Sequence, residues 1–190
     1  MKRPHDMKLF LKALEFSANK HRRQRRKDRH ASPYINHPIA LAKVLAWEGR
    51  VADVEILAAA LLHDTIEDTR TTFEELRANF GRRVALTVLE VTDNKKLHKR
   101  TRKRLQVEHA AHLSRAAKLV KLADKICNLR DLSSRPPVGW DRKRRREYFD
   151  WARAVIDRLR GVHPKLEAAF DAAYARRPGV RKSRHAGPAR

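Results

Sequence analysis

Apolar positions along this chain recur at intervals of three and four residues, which predicts helices almost throughout. In "MKLFLKALEFSANKH", Leu9, Leu11, Ala13, Leu14 and Phe16 fall near helical spacing. A charged loop, "RRQRRKDRHASPY", follows and closes at Pro33. "HPIALAKVLAWEG" predicts the next helix, with Pro38 at the first helical position and Gly49 at the end. "ADVEILAAALLHD" is apolar almost all round, so it is expected to be a buried central helix. "TTFEELRANFG" carries a capping signal in Thr72 and Glu75 and a stop at Gly81. "RRVALTVLEVTD" resumes as a helix with Val84, Val88 and Val91 on one face. Residues 95–106, "KKLHKRTRKRLQ", form a basic stretch.

In "AAKLVKLADKICNLRDL", Leu119, Leu122, Ile126 and Leu129 define a helical apolar seam. "SSRPPVGW" reads as a turn, and "DRKRRREYFDWARAVIDRLRG" as a helix with a basic start. A last helix is expected from about Pro164 to Ala175. The alternation that strands need is missing, as are internal repeats and a Gly-rich phosphate loop. The expectation is an all-α fold, one compact domain over residues 1–175, with a basic, disordered tail over 176–190.

Composition narrows the setting. The chain has 190 residues, 42% of them hydrophobic, enough for one sizeable core. Its single cysteine excludes an intramolecular disulfide and fits a reducing, cytoplasmic compartment. No apolar run is of signal-peptide or membrane-spanning character. The net charge of +23 favours anionic partners: nucleic acid, an acidic membrane surface or a multiply phosphorylated small molecule.

The candidate chemistry begins at "LLHDTIEDT". A helix C-terminus carries partial negative charge, so Asp64 is poorly placed there unless a cation is near. His63 and Glu67 are four residues apart, as are Asp64 and Asp68, so continued helical turns would put each pair on one face. Such a cluster suits a divalent ion that activates water and screens phosphate charge. Asp124, Asn128 and Asp131 add a polar stripe to the apolar helix of residues 116–132, which suggests a helix lining a polar cavity. His37 in "SPYINHP" supplies a second imidazole. His37, His63, Asp64 and Asp124 together form a mixed nitrogen and oxygen set suited to Mn²⁺, Fe²⁺ or Zn²⁺. The absence of a Cys pair argues against a structural zinc site.

"SPYINHP", "ALLHDTIEDT", "KLVKLADKICNLRDL" and "REYFDWA" together resemble the HD-type hydrolases of the RelA/SpoT alarmone family, especially its small stand-alone members of the metazoan SpoT homologue type. The resemblance runs from about residue 8 to residue 175 and leaves no length for synthetase or regulatory segments. It implies an all-helical HD domain whose metal site lies between central helices. It further implies one Mn²⁺ held by His37, His63, Asp64 and Asp124, with Glu67 and Asp68 positioning and activating the attacking water.

The implied reaction is hydrolysis of the 3′-diphosphate of guanosine tetra- or pentaphosphate to GDP or GTP and pyrophosphate, which degrades the stringent-response alarmone. By the same resemblance Arg26 and Lys27 would contact the base edge, and Asn128 the nucleoside. Tyr148 and Arg144 would contact ribose or phosphate, and Lys99 would lie near the phosphates. The chain departs from the longer members in "RRKDRHASPY", which has no Gly after the Arg-Lys pair.

Two other functions compete. Removal of the 2′-phosphate of NADPH would use the same site, because that substrate also presents a phosphorylated ribose beside a purine. A basic nucleic-acid-binding protein with a degenerate HD site would owe its affinity to the charge runs.

Overall fold

The structure is a computed structural model that describes residues 4–179. Among the described residues it is all-α, with helices α1 (Pro4–Lys20), α2 (Asn36–Lys43), α3 (Val54–Leu62), α4 (Thr65–Asp68), α5 (Phe73–Val91), α6 (Lys99–His109), α7 (Arg115–Ser134), α8 (Arg142–Asp157) and α9 (Pro164–Tyr174). α3 is the centre. Its residues from Ile56 to Leu62 are all buried, and it packs against α1, α2, α5 and α7. A helix that is apolar all round has no solvent face to offer, so these four helices cover it.

Caps decide several boundaries. The Asp53 carboxylate accepts from the Glu55 N–H at the start of α3, and the Thr72 hydroxyl accepts from the Glu75 N–H at the start of α5. Gly81 stops the first part of α5, as expected, by adopting φ 84°, and a second helical run begins at once. α2 starts earlier than the sequence predicts. Asn36 opens it, so Pro38 is its third residue and not its first.

α2 continues into a π-helical turn over Val44–Glu48, closed by the Gly49 N–H donating to the Val44 carbonyl at 3.0 Å. A Cβ at Gly49 would lie 2.8 Å from the Leu45 carbonyl oxygen and 3.1 Å from both Leu166 methyls, so the close approach of α9 requires glycine. The basic stretch 95–106 contributes most of α6, which buries none of its residues.

The apolar seam of α7 is realised: Leu119, Leu122, Ile126 and Leu129 are each at most 1% exposed. α7 also buries two lysines, Lys121 and Lys125, which no apolar pattern foretells. The expected tail, 176–190, lies largely outside the described residues. Its start is tied down, because the Arg177 guanidinium grips the Asp150 carboxylate at 2.6 Å.

Candidate metal centre and substrate cleft

His37, His63 and Asp124 converge at the core end of α3. One potential ligand atom from each lies within 4.8 Å of the others. They come from the first turn of α2, the C-cap of α3 and the middle of α7. His37 Nε2 is 3.2 Å from Asp124 Oδ1, and the two imidazole centroids are 5.3 Å apart.

Each donor is held from behind. His63 Nδ1 lies 2.9 Å from the Ala60 carbonyl, which can only accept, so in the neutral ring Nδ1 carries the proton and Nε2 keeps its lone pair. Asp124 Oδ2 accepts from the Lys125 ammonium at 2.9 Å, and Oδ1 accepts from the Asn128 amide at 2.6 Å.

Asp64, the fourth expected donor, stands beside this trio rather than in it. Its Oδ2 is 2.9 Å from His63 Nε2 and also accepts from the Tyr34 hydroxyl. His63 Nε2 nevertheless has no aligned hydrogen-bond partner, although it is buried. A buried imidazole lone pair facing two carboxylates is a site that a divalent first-row cation would satisfy.

The electrostatics agree with that fit. Burial opposes ionising Asp124, but the Lys125 ammonium beside it holds the carboxyl well below its usual range. Burial likewise opposes ionising Asp64, and His63 outweighs it. His63 itself resists charging through burial, yet the Asp64 carboxylate raises its pKa to about 9. Burial keeps His37 below the ordinary histidine value. Two carboxylates are therefore ionised against two imidazoles, and a proton on His63 does what a cation would do better.

Glu67 and Asp68 part company. Glu67 shares a cavity of about 200 Å³ with His37, His63, Asp64 and Asp124. Burial raises its carboxyl to about pKa 6, against the opposing effect of the Asp93 N–H that it accepts at 3.1 Å. Asp68 does not line that cavity. It borders a neighbouring one of about 480 Å³, where it accepts from the Gln24 amide at 2.8 Å and pairs with Lys95.

The expected substrate residues ring the same region. Arg26 and Asn128 border both the metal cavity and the 480 Å³ cavity. Lys27 joins the latter to a third cavity of about 630 Å³ that holds Lys99 and Arg144. Tyr148 borders all three.

Reading the sequence missed the groups that orient the donors. Tyr34 sits inside "SPYINHP" three residues before His37, and its ring lies 4.8 Å from His21 and 6.2 Å from His37. Lys125 directly follows Asp124, and Gln24 precedes the Arg-Lys pair. For Lys125 the available signal was its place directly after Asp124 in the sequence.

Helical fold and donor set together define an HD-domain protein. The HD domain pattern matches residues 13–150, and the chain belongs to that family. Its relatives lie among SpoT homologues. The Xenopus tropicalis guanosine-3′,5′-bis(diphosphate) 3′-pyrophosphohydrolase MESH1 is 55% identical over 166 residues, spanning 87% of this chain and 93% of the relative. The human MESH1 is 53% identical over 168 residues, spanning 88% and 94%. A solved structure described as a metazoan ortholog of SpoT that hydrolyses ppGpp superposes with a TM-score of 0.86 at 48% identity, covering 89% of this chain and 95% of that one.

Proposed function

We propose that this chain is a divalent-metal hydrolase that removes the 3′-diphosphate of guanosine tetra- or pentaphosphate. The observation that carries the reading is a set of two imidazoles and two carboxylates in a cavity that shares Arg26, Tyr34, His37, Asn128 and Tyr148 with a neighbouring cavity of about 480 Å³. The names of relatives more than 50% identical over nearly their whole length support the substrate.

His37, His63, Asp64 and Asp124 would hold one Mn²⁺, with Fe²⁺ or Zn²⁺ as the substitutes this donor set accepts. The ion supplies Lewis acidity and screens phosphate charge. Glu67 accepts the proton of the attacking water, a role its raised pKa suits near neutral pH. Asp68, braced by Gln24 and Lys95, orients the water and the ribose from the neighbouring cavity. Water oxygen bonds to the α-phosphorus of the 3′-diphosphate as the bond from that phosphorus to the ribose 3′-oxygen breaks. The 3′-oxygen leaves with the electron pair and takes up a proton, so the products are GDP or GTP and pyrophosphate.

Arg26 and Lys27 flank the base, Asn128 and Tyr148 the ribose, and Lys99 and Arg144 the phosphates. The catalytic unit is residues 1–175, with the basic segment after it outside the chemistry. A cytoplasmic setting suits the buried, unpaired Cys127. Among the described residues no helix is long and apolar enough to cross a membrane.

The test is a substrate panel on purified protein reconstituted with Mn²⁺, together with metal analysis. Release of pyrophosphate from guanosine tetraphosphate, lost in Asp124→Ala, is the expected result. An intact guanosine tetraphosphate with phosphate released from NADPH would overturn the substrate and favour the 2′-phosphatase. Unchanged nucleic-acid affinity in the same variant would separate hydrolysis from any charge-driven binding.

A further inference from the structure

His21, the residue that follows α1, is 2% exposed and borders none of the three cavities. Its Nδ1 lies 2.7 Å from Gln24 Oε1, and its Nε2 is buried without a hydrogen-bond partner among the described residues. An orphaned ring nitrogen costs stability that a phenyl ring of similar shape would not lose. A histidine kept there therefore does something besides filling space.

The polarity of its neighbours fixes what that is. The Asp68 carboxylate, paired with the Lys95 ammonium, can only accept, so the Gln24 amide turns its nitrogen to Asp68 Oδ2 at 2.8 Å. Gln24 Oε1, also only an acceptor, then faces His21, so the imidazole Nδ1 carries a proton and donates it. The Gln24 backbone is held on both sides: its N–H donates to the His21 carbonyl at 2.8 Å, and its carbonyl accepts from the Tyr34 N–H at 3.2 Å. The freedom left to Gln24 is which end of its amide meets Asp68. The two ends are alike in shape and opposite in polarity, and the His21 donor tells them apart.

The same imidazole lies against the Tyr34 ring, with centroids 4.8 Å apart and planes inclined by 31°, and the Tyr34 hydroxyl donates to Asp64. One side chain thus stands behind Asp68, through Gln24, and behind Asp64, through Tyr34, although those two carboxylates border different cavities.

Taking the 3′-pyrophosphohydrolase reading as its premise, we propose that His21 is a positioning residue for Asp68. Its Nδ1–H selects the orientation of the Gln24 amide, so that Asp68 meets a donor and keeps the direction in which it aligns the attacking water. Without that proton the amide can invert, set Oε1 against the carboxylate and turn Asp68 away.

His21→Phe keeps a ring against Tyr34 and removes the donor. In Mn²⁺-loaded enzyme, kcat for guanosine tetraphosphate should fall about tenfold, the loss expected of one hydrogen bond to a charged group. KM and the Mn²⁺ affinity should each stay within about threefold, because the substrate contacts and the bond from Tyr34 to Asp64 are untouched. Gln24→Leu should lower kcat to a similar extent, and the double variant should lie within about twofold of either single one, since all break the same path to Asp68. His21→Asn, whose amide nitrogen falls where Nδ1 stood, should recover most of the rate. An unchanged kcat in folded His21→Phe, or losses that multiply in the double variant, would overturn the proposal. Nitrogen NMR of the His21 ring in the wild-type protein needs no variant: a proton on Nδ1 is expected, and a ring protonated at Nε2 alone would overturn the proposal as well. If the wild-type enzyme leaves guanosine tetraphosphate intact, the premise fails, while the ring spectrum still decides whether His21 donates to Gln24.

Discussion

Replacing Lys125 by Met isolates the role of a buried cation beside a metal ligand. Lys125 is 3% exposed, its Nζ bonds Asp124 Oδ2 at 2.9 Å, and the same ammonium stands 4.4 Å from the Trp151 ring centroid. Met preserves the stem volume, so the main loss is electrostatic. Removing one partner of a buried ion pair leaves the other uncompensated and costs about 3–5 kcal/mol. The Asn128 amide and His37 remain on the other oxygen of Asp124, which favours the lower end of that range.

At about 2–4 °C per kcal/mol for a chain of this length, the metal-free variant should melt about 6–12 °C below wild type. A divalent cation reverses the comparison, because it supplies the charge Asp124 has lost and no longer faces a neighbouring ammonium. The gain in Tm on adding excess Mn²⁺ should therefore be larger in Lys125→Met than in wild type. Differential scanning calorimetry on chelator-treated and Mn²⁺-loaded samples reads both numbers. A metal-free loss below about 1 kcal/mol, or a smaller metal-induced gain in the variant, would refute the electrostatic account.

Further outcomes follow from the same geometry. Glu67 must be ionised to accept a proton and titrates near 6, so kcat/KM should fall as pH drops through about 6. Glu67→Gln should flatten that acid limb and lower kcat by about 100-fold or more in a pH-resolved assay. Tyr34→Phe removes the hydroxyl that holds Asp64 and should weaken Mn²⁺ binding by about tenfold in a metal-buffer titration, with little change in Tm of the metal-free protein. Gly49→Ala places a methyl 2.8 Å from the Leu45 carbonyl and should destabilise the fold by about 1–3 kcal/mol in chemical denaturation, leaving the metal affinity of the folded protein unchanged.

Local chemistry determined much of this protein before any contact was known. Helical spacing, the Thr72 cap and the Gly81 stop depend on neighbours a few residues away, so they can be read from a single strand of text. The all-α class and the buried centre at 54–62 follow from that pattern, as does the polar stripe from Asp124 to Asp131.

Three things only the tertiary structure decided. His37 meets Asp124 across 87 positions, a distance no periodicity encodes. Glu67 and Asp68 are adjacent in sequence but face different cavities, because the single turn of α4 points them apart. Lys121 and Lys125 look like solvent residues in the sequence, yet α7 is packed on so many sides that both are buried. Lys121 donates to the Val91 carbonyl at 3.0 Å, and Lys125 pairs with Asp124. Charged side chains are buried where the fold supplies a partner, and that partner is set by long-range packing rather than by the residues on either side.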